Sequence, residues 1–138
     1  MSYKFLEDIA IADIAFEASG KDLNELFESA ATALESSMAN IKKVKPKIRK
    51  EINLSKETVE ELLFDFLNEL VYLKDAESLL FSKFSVKLKG KKLHAEVLGD
   101  KIDSKTQELD NDVKAVTLHG FKVEKTKDGW KTTVILDV

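Results

Sequence analysis

A chain of 138 residues that is 43% hydrophobic and 34% charged is long and apolar enough to bury one core, which excludes a disordered protein. Its formal net charge of −3 gives no overall attraction to a polyanion, and the lack of cysteine removes disulfides, thiolate zinc sites and cysteine nucleophiles together. Residues 1–8 hold no secretory core and no apolar run reaches a membrane span, so a cytoplasmic protein is expected.

Residues 3–18 have strand character, closed by Gly20. Asp22 then stands three residues before Glu25, an N-cap with its capping-box partner. Leu23, Leu26, Phe27, Ala30, Ala33, Leu34 and Met38 follow at helical spacing and mark one apolar face. Alternation over residues 48–54 predicts a strand after Pro46. Ser55 is the expected cap of a second helix that turns Val59, Leu62, Leu63, Phe66, Leu67, Leu70 and Leu73 inward. Phe64, Val71 and Tyr72 widen that arc, which predicts the more central helix. Phe84, Val86 and Leu88 alternate with polar residues, and Leu93, Ala95 and Val97 answer them beyond Gly90, as in a hairpin. A longer strand, bent or bulged near Gly120, is expected over residues 113–125. The turn Lys127-Asp128-Gly129 leads into a final strand over residues 130–138. The sum is one α+β domain over residues 1–138, with two helices packed on a mostly antiparallel sheet.

Two aspartates stand where the pattern makes them costly. Asp13 interrupts the apolar stretch from Ile9 to Phe16, and Asp137 interrupts Val134-Ile135-Leu136-Asp137-Val138. Both segments read as buried or half-buried strands, where an isolated carboxylate costs several kcal/mol unless it is paired or metal-bound. If the two strands lie side by side, the carboxylates repel unless a proton or a cation sits between them. A hard cation with oxygen ligands is the first reading, and the plainer one is that each aspartate ends its strand and points into water.

Other conspicuous residues read as structural. The basic run 42–50 and the hairpin tip 89–92 could touch phosphates, but the run has no interleaved aromatic for base stacking, and its alternation fits a solvated strand face. His94 falls on the outward phase of its strand, His119 sits at a bend, and Trp130 reads as a core or rim anchor. Glu57, Glu60 and Glu61 belong to the first turns of a helix, where the dipole favours them. With no phosphate-cradling glycine loop and no Ser-His-Asp constellation, an autonomous enzyme is not indicated.

Several segments in order resemble the archease family, nearly end to end. They are Ala12-Asp13-Ile14, then Phe16-Glu17-Ala18-Ser19-Gly20, then residues 23–31 and 61–70 as the two helices. The strongest are Asp112-Val113-Lys114-Ala115-Val116-Thr117-Leu118-His119-Gly120 and the closing Val134-Ile135-Leu136-Asp137-Val138. The resemblance implies an accessory protein, not a catalyst. It would engage the GTP-dependent RNA-splicing ligase, speed guanylylation of that ligase, and permit repeated turnovers in tRNA splicing, meeting RNA only through the ligase. It also implies a calcium site. Asp13 and Asp137 would bind the ion, Val138 would supply a main-chain or terminal carboxylate oxygen, and Lys114 would support the ligase. The pattern departs from the family at the start. Leu6-Glu7-Asp8 is separated from Ala12-Asp13 by two extra residues, with Asp8 and Ile11 where relatives carry His and Thr. Two added residues keep side-chain phase along a strand, so Asp13 can point the same way and Asp8 could be an extra ligand. Lys45 usually has an acidic counterpart in relatives. The rival readings are an RNA-binding module using residues 42–50 and 89–92, and a general protein chaperone without metal.

Overall fold

The structure, a computed structural model, describes residues 2–6 and 13–138. Strands β1 (Ser2–Leu6) and β2 (Asp13–Gly20) pair antiparallel with Phe5 opposite Phe16. The single strand expected over residues 3–18 is thus two. Residues 7–12 contain no glycine, proline or asparagine to mark a reversal, and for that reason the periodicity read straight through.

Helix α1 (Leu23–Met38) starts where expected, with the Asp22 carboxylate accepting the Glu25 N–H at 2.8 Å. Gly20 is fixed by this start, because a Cβ there would lie 2.4 Å from the Leu26 nitrogen. Strand β3 (Ile48–Ser55) follows a 3-10 turn at Ile41–Lys43. Helix α2 (Val59–Glu77) is capped by Thr58, whose hydroxyl accepts the Glu61 N–H at 3.1 Å. Ser55 instead ends β3. The pair Thr58 and Glu61 has the Ser/Thr-x-x-Glu spacing of a capping box, a signal Ser55 lacks.

Strands β4 (Leu79–Lys89) and β5 (Lys92–Lys101) form the predicted hairpin, extended at both ends, with a bulge between Phe81 and Lys83. Short β6 (Ala115–Val116), β7 (Lys122–Thr126) and β8 (Gly129–Asp137) complete the chain. The long strand expected over residues 113–125 is broken rather than bent. Gly120 adopts φ +59, the left-handed region, and the Phe121 N–H donates to the Leu118 carbonyl at 3.2 Å.

The strands form two antiparallel sheets rather than one. The first runs β1-β2-β8-β6, with β7 also on β8, and the second runs β3-β5-β4. Helix α1 borders β2 and β4 while α2 borders β3 and β6, so the helices join the sheets through a shared core. Phe27 and Phe66 stack across the helix pair at 6.1 Å, flanked by buried Phe16 and Phe81. No helix among the described residues is long and apolar enough to cross a membrane.

Polar side chains on both helices close open sheet edges. From α1, Asn24 accepts the Leu88 N–H at 2.8 Å, Glu28 the Val86 N–H at 2.8 Å, and Glu35 the Phe81 N–H at 3.1 Å. From α2, Glu60 accepts the Val123 N–H at 3.1 Å and Asn68 the Val116 N–H at 3.2 Å. Each bond occupies a donor that would otherwise be free to pair with another chain. Replacing Glu28 by alanine strands the N–H donor of buried Val86, and a loss of about 1–3 kcal/mol in urea unfolding is expected. A loss below about 0.5 kcal/mol would mean that water serves this donor equally well.

Candidate functional site

Asp13 opens β2 and Asp137 closes β8, and the register sets them directly opposite each other. Opposite residues of an antiparallel pair share a face and have Cβ atoms roughly 4.5–5.5 Å apart. Their neighbours Phe16, Val134 and Leu136 are buried in the core, so alternation turns the two aspartates to the outer face. There Asp13 is half-buried and Asp137 exposed. The burial cost expected from sequence is therefore not what distinguishes them. Two like charges held opposite each other are.

Asp137 also meets β6 on its other side, opposite Ala115, and its carbonyl accepts the Lys114 N–H at 2.8 Å. Three strands thus converge at one end of the sheet, with half-buried Val138 next in the chain and Lys114 exposed beside them. No described lysine or arginine forms an ion pair with Asp13 or Asp137. No third histidine, aspartate or glutamate joins them among the described residues. Asp8 lies outside the described residues. Two carboxylates on one face are oxygen donors of the kind a hard cation takes, and Val138 follows Asp137 directly in the chain.

Helix α2 anchors the Lys114 segment. Lys74 is buried, and its ammonium donates to the carboxylates of Asp112 and Asp75 and, at 2.6 Å, to the Val113 carbonyl. Burial opposes the charge, but the bonds from Asp112 and Asp75 outweigh it and hold the Lys74 pKa above the ordinary lysine value. Asn68 fixes Val116 two residues beyond Lys114. The sequence reading missed Lys74, although it continues the stripe of Leu67, Leu70 and Val71 at helical spacing. A lysine in that phase is either buried with partners or misplaced.

His94 is exposed, with Nδ1 2.8 Å from the Asn53 amide oxygen. His119 is exposed on the 117–121 turn, and its backbone N–H reaches the Thr117 hydroxyl at 3.4 Å. Trp130 is half-buried at the rim with the Lys125 ammonium 5.7 Å from its ring. Within the basic run, Lys43 pairs with Glu108, Arg49 with Glu51 and Glu96, and Lys50 with Glu77.

Glu35 is a second feature that the sequence reading did not single out. It is fully buried, Oε1 accepts the Phe81 N–H, and Oε2 has no partner among the described residues. Burial pushes its carboxyl up to about 8, against the smaller opposing effects of the Phe81 bond and the Lys74 charge.

The archease protein family matches this chain over residues 3–138. The protein archease of Pyrococcus abyssi is 39% identical over 132 residues, covering 92% of this chain and 93% of its own. That of Methanosarcina barkeri is 36% identical over 141 residues, covering 99% and 95%. Among solved structures, protein 1598 of Methanobacterium thermoautotrophicum is 34% identical with a TM-score of 0.86, covering 99% of this chain and 98% of its own. A Thermotoga maritima archease, described as a possible chaperone, is 26% identical with a TM-score of 0.65, covering 94% and 93%.

Proposed function

Because the chain belongs to the archease family, we propose that it is a non-catalytic activator of the GTP-dependent RNA-splicing ligase and that it carries a calcium ion at Asp13 and Asp137. The observation that supports this reading most is the register pairing of two acidic side chains with no described lysine or arginine in an ion pair with either. Asp13 and Asp137 would hold the ion together with an oxygen of Val138. The ion supplies positive charge that cancels the repulsion across β2 and β8. Lys114, held by the Lys74 and Asn68 anchors on either side, presents an exposed ammonium to the ligase or to a phosphate in its active site.

Activation needs no reaction on this chain. It requires that the protein bind the nucleotide- and metal-loaded ligase more tightly than the unloaded one, and the shift can be no larger than that difference in affinity. A preference of about 1.4 kcal/mol moves the equilibrium tenfold. Joining of cleaved tRNA halves by the ligase with GTP tests the reading. Catalytic amounts of ligase are expected to turn over repeatedly only when the protein is added, and Lys114→Ala is expected to lower the rate at least tenfold. An unchanged turnover number on adding the wild-type protein would remove the activator role.

A further inference from the structure

We propose that the cleft between residues 43–47 and residues 100–107 binds an RNA strand through its phosphates. The cleft, of about 770 Å³, brings together two stretches that are distant in sequence. Lys43, Lys45 and Lys47 line one wall, and Lys101 and Lys105 the other. Asp100 and Asp103 share the lining, but each carboxylate already accepts a local backbone N–H, from Lys101 and Lys105 respectively, at 2.9 Å. The lining therefore carries an excess of three positive charges on a protein whose formal total is −3.

Most of this charge is free to meet a ligand. Lys43 pairs with Glu108, and the Lys101 ammonium donates to the neutral Glu77 carbonyl at 2.8 Å. Lys45, Lys47 and Lys105 reach no carboxylate among the described residues and are exposed. The backbone beneath them is fixed. Buried Gln107 closes the 101–107 loop, accepting the Asp103 N–H at 2.7 Å and donating to the Lys101 carbonyl at 2.9 Å. Opposite, the Lys47 N–H donates to the Gly99 carbonyl at 2.9 Å and Val44 is buried. Lysines presented from a fixed backbone lose less freedom on binding than lysines on a mobile loop.

Unpaired lysines in a row recognise phosphates in a row, while the lining offers no aromatic ring on which a base could stack. Contact is thus with the backbone and independent of base sequence. The choice of RNA over another polyanion rests on the ligase reading, whereas the charge preference does not. The hairpin tip at residues 89–92, equally basic in sequence, borders a cleft of about 600 Å³ whose other wall, residues 53–55, brings no lysine or arginine, and its Lys91 pairs with Glu57.

Fluorescence anisotropy of a labelled, unstructured oligoribonucleotide with the isolated protein tests the proposal separately from ligase activity. Neutralising about three phosphates predicts a loss of roughly 20-fold in affinity between about 50 mM and 200 mM salt. The triple variant Lys45→Glu, Lys47→Glu, Lys105→Glu is expected to lose at least tenfold. The control triple Lys89→Glu, Lys91→Glu, Lys92→Glu is expected to bind as wild type, with circular dichroism showing both variants folded. No wild-type binding near 50 mM salt, or equal losses in the two triples, would overturn the site. Polyglutamate competing as well as unlabelled RNA at equal charge would overturn the assignment to RNA.

Discussion

Calcium is expected to raise the unfolding temperature of the wild-type chain, and Asp137→Asn is expected to remove that response. A ligand that binds only the folded state at about a hundred times its dissociation constant adds about 2.7 kcal/mol. For a chain of this size that is on the order of 10 °C. The metal-free protein should move the other way. Asp13 and Asp137 face each other across β2 and β8 with no described cation between them, so removing one charge relieves a repulsion. Asp137→Asn should therefore be slightly more stable than wild type without calcium, by about 0.2–1 kcal/mol, and clearly less stable with it. Raising the salt should shrink the first difference, since both carboxylates reach the solvent. Asp13→Asn should behave alike. Lys114→Ala should keep the full calcium response while failing with the ligase, which separates holding the ion from acting on the partner. Equal calcium shifts in wild type and Asp137→Asn would eliminate the site.

How much of this was legible in the chain depended on how local the determining interaction is. Helix α1 and its Asp22 cap, helix α2 and the β4-β5 hairpin follow from spacing within a few residues, and the structure has all of them. The errors fall where no glycine, proline or asparagine marks a break, as between Leu6 and Asp13, or where one glycine had to be read as a break and not a bend, as at Gly120. The split into two sheets was invisible because β2 pairs with β8 across more than a hundred residues. Periodicity assigns a strand its faces but not its neighbour. The aspartates stood out as carboxylates in buried or half-buried strands, which holds in part for half-buried Asp13 and not for exposed Asp137, while their pairing, posed from sequence only as a condition, is a matter of register. Lys74, Asn68, Glu28 and Glu35 were passed over because polar residues on a helix usually mean solvent. Here they mean that a sheet edge or a loop lies against that face. Edge donors and polar helix positions are legible only together, once it is known which strands lie at the edges.

Glu35→Gln is expected to gain roughly 3 kcal/mol of stability relative to wild type between about pH 4.5 and pH 7. The native carboxyl is held up to about 8 by burial, whereas in the unfolded chain it ionises near the ordinary value of 4.5. Between those values the unfolded state gives up a proton that the folded state keeps, so stability falls as pH rises. The stability this group allows is fully present below about pH 4.5, declines through neutrality, and stops declining above about pH 8. The glutamine side chain keeps the oxygen that accepts the Phe81 N–H and has no proton to lose. Its amide brings two N–H donors where the protonated carboxyl has one O–H at Oε2, an added cost that is the same at every pH and leaves the pH dependence to the carboxyl. Lys74 does not rescue the ionised form, because its ammonium is already committed to Asp112, Asp75 and the Val113 carbonyl. Urea unfolding of both proteins at about pH 5, 7 and 8.5 separates the cases. A difference that widens with pH is the expected outcome. One that stays constant across the three would show that Glu35 keeps an ordinary carboxylate's affinity for its proton in the folded chain, and that the stripe of acceptors along α1 has a carboxylate at its end after all.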